Sequence, residues 1–233
     1  NEILLSDIDI KSTDEGIKRQ DLPPEKLKKI KKIKAEYTGL SDVGFFENLS
    51  EMTAAKTKSD YISEYIENTI TNLHTDGILY EHKNKYDTVL VLPTYTQLAY
   101  TQIETLLRIL YQYEIYPLEE LNKILITMHY CMPSIIKKYN DLIVSMLKDN
   151  GRAVVLSDVA EIIDEKVLSD VSKRLNDYEY LDKYLKKYGQ EFGMMGIEDL
   201  KTKTKFAERR FEVWPFDNDK QFIVEFISAH IKN

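Results

Sequence analysis

The alternation of apolar and polar residues predicts helices through the middle of the chain. Apolar side chains at helical spacing predict a short helix over residues 45–52 and, after the turn TAAKTK, a second helix over residues 59–74. The same periodicity predicts a helix over residues 98–111, which ends near Pro117, and a longer helical stretch that starts at Leu118. Helix is therefore the dominant predicted element.

Short apolar stretches rich in β-branched and aromatic residues predict strands. After Asp76-Gly77, the sequences ILYEH and TVLVLP predict two strands joined by the charged turn KNKYD. The sequence RAVVL, which follows Gly151, predicts another strand, and Ser157 then predicts the cap of one or two helices over residues 158–188. Nearer the end, KTKTKFAERRFEVWP and QFIVEFI predict a hairpin through the turn FDND.

The first forty residues are highly charged. Residues 1–20 have no sustained period, and we interpret them as a flexible arm. Residues 21–39 predict a helix, because Leu27 and Ile30 fall on one helical face while most of the six lysines between positions 26 and 34 fall on the other.

The predicted elements over residues 21–93 follow the order helix, helix, helix, strand, charged turn, strand. This order resembles a winged-helix domain, and residues 73–79 resemble the usual exit from the third helix of that fold. The resemblance implies a mainly α fold with short β-hairpins. Its parts are a flexible arm at 1–20, a winged-helix-like module at 21–93 and an α-rich region at 94–233. Residues 65–77 and 139–151 share Tyr, Leu and Gly at the same offsets, which leaves open a second winged-helix-like module in that last region.

The composition is typical of a globular protein. The chain has 233 residues, of which 43% are hydrophobic and 30% charged, and it can bury a core as one large domain or two small ones. No apolar run approaches the roughly 18 residues that span a bilayer, and the start of the sequence lacks a signal-peptide layout, so we expect a cytoplasmic protein without membrane contact. The single cysteine, Cys131, cannot form an internal disulfide.

Positive and negative charges are segregated along the chain. The net charge is -7, yet residues 17–37 carry eight cations against three carboxylates, whereas residues 38–92 carry four against nine. A local basic patch can bind phosphates even on an acidic protein. The candidate nucleic-acid contacts are therefore the cations of the first helix, the wing and the C-terminal hairpin: Lys26, Lys28, Lys29, Lys31, Lys32, Lys83, Lys85, Lys201, Lys203, Lys205, Arg209 and Arg210. The predicted third helix carries Asp60, Glu64 and Glu67, which suit a basic partner protein better than DNA.

The chain contains no motif typical of an enzyme. Its four histidines lack metal-ligand spacing, and the H-E-x-x-H, G-x-S-x-G and C-x-x-C patterns are absent. His129 and Cys131 stand two positions apart, so on a helix they point to different faces and cannot form a nucleophile and base pair. We therefore predict no catalytic, metal or cofactor site. Catalytic carboxylates that folding brings together need no local motif, and the sequence leaves them open.

The predicted modules resemble, at the level of fold, the tandem winged-helix accessory subunits of SMC-kleisin complexes, the MukE- and ScpB-like family. The parts that carry this resemblance are the helix before Asp76-Gly77, the DGILY hairpin, the VLVLP strand and the long helix that follows. It implies a non-catalytic subunit of a DNA-handling complex that binds a protein partner and contacts DNA through basic patches, and it leaves a homodimer open. The alternative interpretation is a winged-helix DNA-binding transcription regulator or replication initiator.

Overall fold

Nine α-helices and six strands are present in the part of the chain that the computed structural model describes, which is residues 3–7, 10–20, 22–92, 95–162, 164–217 and 220–231. The helices are α1 Ile10–Lys18, α2 Pro24–Leu27, α3 Phe45–Ala54, α4 Ser59–Thr71, α5 Tyr100–Gln112, α6 Leu118–Met146, α7 Glu165–Lys173, α8 Tyr178–Tyr188 and α9 Glu191–Lys203. The strands are β1 Ile3–Asp7, β2 Ile30–Lys34, β3 Tyr86–Val91, β4 Leu147–Ile162, β5 Thr204–Asp217 and β6 Lys220–Ile231. Asp21 and Pro93, which bound the predicted winged-helix-like module, lie outside the described residues, as do Asn218 and Asp219 of the predicted FDND turn.

The fold is mixed α/β, so the predicted mainly α class with short hairpins is wrong. About 53% of the described residues are helical and 26% lie in strands. The larger sheet has the order β3-β4-β6-β5, in which β4 runs parallel to β3 and antiparallel to β6, and β5 runs antiparallel to β6. A separate small sheet pairs β1 with β2 in parallel.

The wing hairpin predicted after Gly77 does not form. Residues of ILYEH make a 3-10 turn over Tyr80–His82, and Leu79 before it has a left-handed φ of 50°, which is incompatible with a strand. TVLVLP does supply a strand, β3, but its ladder partner is β4. The β-branched content thus predicted a strand correctly, whereas the choice of partner depends on long-range packing.

Strand β4 replaces the start of the helix predicted from Ser157. Ser157 is fully buried within β4, opposite Glu225 of β6, and the strand continues to Ile162. The predicted helical region 158–188 therefore shrinks to α7 and α8, which Asp164 and Asp177 cap through their side chains. Helices α7, α8 and α9 are followed by the hairpin of β5 and β6, so the second winged-helix-like module in the C-terminal region stays a prediction.

The helix predicted over residues 21–39 is also wrong. It is divided into the four-residue helix α2 and strand β2, because Ile3–Asp7 provides a parallel partner for Ile30–Lys34. The segment interpreted as an arm thus contains β1 and α1. Isoleucines at positions 30 and 33 satisfy a helical period, but the ladder with β1 decides the conformation.

The central helices are confirmed. Helices α3, α4, α5 and α6 occupy the predicted positions, and α6 begins directly after Pro117. Helix α4 packs along α6 through buried apolar residues and a hydrogen bond from the Thr127 hydroxyl to Ser63 Oγ at 3.0 Å. None of the described helices combines the length and hydropathy that crossing a bilayer requires.

Helix α9 lies very close to the sheet and to α6. A Cβ atom at Gly193 would stand 2.3 Å from the carbonyl oxygen of Asp158, and one at Gly196 would stand 2.5 Å from the Tyr95 ring. The Tyr95 hydroxyl donates to Asn140 Oδ1 at 2.7 Å, and Asn140 Nδ2 donates to the Gly196 carbonyl at 2.8 Å. Burial raises the pKa of Tyr95 far above its usual value, so the hydroxyl remains a donor.

Candidate functional site

The four-stranded sheet has a face covered by helices and an open face. On the covered face, Ser157 lies against Gly193 of α9, and Arg209 binds Asp182 of α8. Alternate side chains point to the other side, because successive residues of a strand face opposite ways. There Leu90 of β3 is 59% exposed and Trp214 of β5 is 42% exposed. We call this side the open face.

An apolar stripe runs along the centre of the open face. The register places Leu156 of β4 opposite Phe226 of β6, and Phe226 opposite Arg210 of β5, so these three side chains form one row across the sheet. The Arg210 guanidinium lies 4.3 Å from the centre of the Phe226 ring. We define the apolar stripe as Leu90, Val154, Leu156, Phe226, Phe222 and Trp214, together with Leu92, which directly follows β3. The row of Asp158, Val224 and Glu212 lies between Phe226 and Phe222.

The two ends of the open face carry opposite charges. At one end, Lys205, His230 and Arg152 form a row across β5, β6 and β4, and all three are exposed. We call this the cationic end. At the other end, Glu212 of β5 lies opposite Val224 of β6, and Glu161 of β4 lies opposite Phe222 of β6. We call these two carboxylates the anionic end. Phe222 and Trp214 of the stripe lie in the same row as Glu161, and Glu208 and Arg210 of β5 lie between the two ends.

The predicted basic patch over residues 201–210 is divided between helix α9 and the two faces of β5. Lys201 binds Glu198 at 2.7 Å, Lys203 binds Asp141 at 2.8 Å, and Arg209 Nε binds Glu225 at 2.7 Å, so these three cations are held by carboxylates of the same chain. Burial alone would lower the pKa of Lys203, but hydrogen bonds with Asp141 and Asp199 and their negative charges raise it above its usual value. Of the five cations predicted in this patch, only two point from β5 toward the open face, namely Lys205 and Arg210.

The predicted basic patch of the first helix lies on a different sheet. Lys26, Lys28, Lys29, Lys31 and Lys32 are exposed on α2, on β2 and between them, and Lys32 forms an ion pair with Asp14. Strand β2 belongs to the small sheet, so these lysines and those of β5 do not share a sheet surface.

A cleft of about 540 Å³ brings the end of β2 close to the turn after α4. Its lining includes Lys34, Asp42 and the residues from Gly77 to His82. Lys83, which follows, has its ammonium 4.9 Å from the centre of the Tyr80 ring, whereas Lys85 is exposed. Cations and carboxylates are mixed around this cleft, so it has no single charge preference.

The acidic residues predicted to bind a partner do lie on one exposed helix. Asp60, Glu64 and Glu67 are exposed on α4, whose opposite side packs on α6. Asp60 forms an ion pair with Lys123 of α6, which leaves Glu64 and Glu67 as the more accessible carboxylates. This surface carries charge of mainly one sign.

The described residues bring together no metal centre, and they do not pair His129 with Cys131. No group of three or more histidine, cysteine, aspartate and glutamate side chains among them is placed to hold a metal ion. His129 contacts Glu191 at 3.1 Å rather than Cys131. Burial, reinforced by the charge of Glu67, raises the pKa of the Cys131 thiol, which is the opposite of what a nucleophile needs.

Sequence reasoning missed the open face as a site. Its signal was present in TVLVLP and QFIVEFI, whose apolar residues fall on both sides of a strand, but the faces of four strands can be compared only when their register is known. The earlier predictions named only Lys205 and Arg210 from this surface. Comparison of the chain with protein-family models and with curated proteins found no match.

Proposed function

We propose that this chain is a non-catalytic protein-interaction subunit that binds a partner protein on the open face of its four-stranded sheet. The observation that carries the proposal is the apolar stripe, which includes Leu90 and Leu92, each 59% exposed, and Trp214. Single exposed apolar residues are ordinary, whereas a contiguous apolar surface rimmed by charge is typical of a binding site. Full burial of one leucine side chain contributes about 1.5–3 kcal/mol.

A nucleic-acid function has weaker support from the geometry. Phosphate binding favours a surface on which cations predominate. On the open face, Glu208, Glu212 and Glu161 alternate with the cations, and three of the five cations predicted near β5 bind carboxylates of their own chain. The exposed lysines of α2 and β2 offer the better candidate for DNA contact.

The cellular setting of this function is a separate part of the proposal. We place the subunit in the cytoplasm, in a DNA-handling assembly of the SMC-kleisin accessory kind, where a homodimer is an open alternative to the monomer. These statements depend on the resemblance seen in the sequence and not on the sheet. Of the parts that carry that resemblance, the VLVLP strand and the long helices are present in the structure, whereas the DGILY hairpin is not.

Co-purification from cells of the protein's own source tests the proposal. The variant Leu90→Glu/Leu92→Glu should lose its partner, because two carboxylates would enter an apolar contact. Leu118→Glu/Ile126→Glu is the matched control, since Leu118 and Ile126 are 54% and 55% exposed on α6. Equal retention of the partner by both variants would contradict the proposed surface.

Two further measurements separate the alternative sites. The variant Glu64→Lys/Glu67→Lys reverses the accessible charges of α4, and loss of the partner in this variant alone would place the binding site there. Lys29→Glu/Lys31→Glu/Lys32→Glu reverses the basic segment. If the unmodified chain purifies alone and binds duplex DNA tightly at physiological salt, and this variant does not, the chain is a DNA-binding protein and the proposal fails.

A further inference from the structure

Strand β2 of the small sheet has one edge paired with β1 and one edge without a neighbouring strand, which we call the open edge. We propose that the open edge binds an extended, acidic segment of a partner protein, which adds a third strand to the small sheet. This site is separate from the open face of the larger sheet and does not depend on the function proposed for that face. Three features of β2 support it: its backbone groups, its lysines and the cleft at its end.

The hydrogen bonds of the small sheet show which backbone groups of β2 are open. The Ile3 N–H donates to the Lys29 carbonyl at 2.9 Å, and the Ala35 N–H donates to the Asp7 carbonyl at 3.0 Å. Backbone groups of successive strand residues point in opposite directions, so the odd-numbered residues of this segment face β1. The residues whose backbone groups point away from β1 are Ile30, Lys32 and Lys34. No hydrogen bond of these groups is found among the described residues.

The open edge is not covered by another strand or helix of the described chain. Of the described elements, β1 and α1 make the main contacts with β2. A sheet of only two strands is marginal by itself, and an unpaired row of N–H and C=O groups is a template for a further strand. Proteins that bind extended peptides use such edges, where main-chain hydrogen bonds supply the affinity. The open edge is therefore suited to a polypeptide in the β conformation.

The lysines of β2 determine which strand can pair with it. Three of the five residues of β2 are lysines, and Lys29 directly precedes the strand. Lys32 forms an ion pair with Asp14 of α1, whereas Lys29 and Lys34 take part in none of the ion pairs found among the described residues. Like charges on adjacent strands are destabilising and opposite charges are stabilising. The open edge thus rejects a basic strand and favours one that carries carboxylates.

The open edge leads into the cleft beside the turn after α4. Ile33 and Lys34 belong both to β2 and to the lining of this cleft. Its volume of about 540 Å³ lies in the range of clefts that bind ligands. A segment that pairs with β2 and continues past Lys34 would enter the cleft, where the Tyr80 side chain is 66% exposed. The site therefore offers room for more residues than the five that β2 itself can pair.

Other occupants satisfy the open edge less well. Phosphates of a nucleic acid can accept from the N–H groups and bind the lysines, but they donate no hydrogen bond to the carbonyls. Two copies of this chain joined through their open edges would set lysines against lysines, because the same residues line both edges. Pairing with the free edge of β1 in another copy would offer one carboxylate, Asp7, and would continue from copy to copy without closing.

Residue-resolved amide hydrogen exchange, measured by NMR on the whole chain, tests the inference. The probe is a peptide of about ten residues in which valine alternates with glutamate. The amides of Ile30, Lys32 and Lys34 should exchange about tenfold more slowly when the peptide occupies about nine-tenths of the chains, because only the free fraction exchanges. The amides of Lys31 and Ile33 face β1 and should change little. Attraction to the lysine side chains alone would not single out every second amide.

Two modified peptides test the main-chain hydrogen bonds directly. One is N-methylated at its valines and the other at its glutamates. In an added strand every second N–H points toward β2 and the others point away. One modified peptide should therefore bind about tenfold more weakly or worse, because it loses at least two main-chain hydrogen bonds, and the other should bind like the unmodified peptide.

A peptide in which lysine replaces glutamate tests the role of charge. It should bind about tenfold more weakly than the acidic peptide, because about two exposed ion pairs are lost. The variant Lys29→Glu/Lys34→Glu should abolish this preference. Lys137→Glu/Lys186→Glu makes the same change in net charge on exposed helical positions and should keep it. Retention of the preference by the first variant would overturn the assignment of the lysines.

Several outcomes would overturn the inference as a whole. These are equal protection of all the β2 amides or of none, equal binding of the two N-methylated peptides, tighter binding of an oligonucleotide than of the acidic peptide, or self-association that Lys32→Pro abolishes. Lys32→Pro removes an N–H that points away from β1, so the paired edge is kept.

The inference and the proposed function fail separately. The variant Leu90→Glu/Leu92→Glu should show the same protection of β2 by the acidic peptide as the unmodified chain. If this variant loses its natural partner and the peptide protects no amide of β2, the strand inference fails and the proposed function stands. If the peptide protects the alternate amides and the variant keeps its natural partner, the proposed function fails and the strand inference stands.

Discussion

Replacement of Arg209 by leucine should lower the free energy of unfolding by about 3 kcal/mol. Arg209 Nε donates to Glu225 at 2.7 Å, and the Glu225 side chain is almost fully buried in β6. Leucine would leave this carboxylate in the interior, and removal of one partner of a buried ion pair costs about 3–5 kcal/mol. Lys201 lies 3.8 Å from the same carboxylate and provides a remaining cation, which places the cost at the lower limit.

Thermal and urea unfolding, followed by circular dichroism, measure this loss. For a chain of this size, about 3 kcal/mol corresponds to a fall in Tm of about 6–12 °C. Arg210→Leu is the matched control, because Arg210 is exposed on the other face and contacts the Phe226 ring, so its loss should cost about 1 kcal/mol or less. Equal losses in the two variants would refute the assignment of Arg209 to the interior.

A double variant separates the cost of leaving the Glu225 carboxylate unpaired from the cost of lost packing. Arg209→Leu/Glu225→Leu removes both members of the pair, and replacement of a buried ion pair by apolar side chains is often neutral in stability. We expect the double variant to recover most of the loss caused by Arg209→Leu. If it is as unstable as the single variant, the cost does not come from the carboxylate of Glu225.

Two other regions give predictions that need only small changes. Gly193→Ala should destabilise the fold by about 1–3 kcal/mol, because its Cβ would meet the Asp158 carbonyl oxygen. Gly16→Ala in α1 meets open space and should stabilise the fold by up to about 1 kcal/mol. Thermal unfolding compares the two variants. Glu67→Gln should move the pH profile of Cys131 alkylation to lower pH, because the charge of Glu67 contributes to the raised pKa of the thiol. An unchanged profile would show that Glu67 does not act on Cys131.

The local hydrophobic pattern predicted helices α3 to α6 correctly, but it predicted helix where strand β2 and the second half of strand β4 form. Helices α3 to α6 followed their apolar spacing because each buries one face against a neighbour. Strand β4 did not show a clean alternation, since Val154 and Leu156 on the open face are as apolar as Ala153 and Val155 on the covered face. Ser157 then resembled a helix cap, although it lies inside the strand.

The candidate site was less predictable than the helices. The basic residues near β5 were chosen for their charge, but the internal partners of Arg209 and Lys203 come from α8 and α6, which the sequence could not place beside them. The open face requires the register of four strands from distant parts of the chain. Sequence patterns report the faces of one element, whereas a surface depends on how elements are joined.

The position of β6 governs when the sheet can form during synthesis. This strand follows all the other described elements in the chain, yet it lies between β4 and β5. Until the ribosome has released it, one long edge of β4 has neither its hydrogen-bonding partner nor the apolar cover that β6 provides. Sheet closure must therefore wait for the synthesis of β6, and chains interrupted before β6 should need a chaperone to prevent their aggregation.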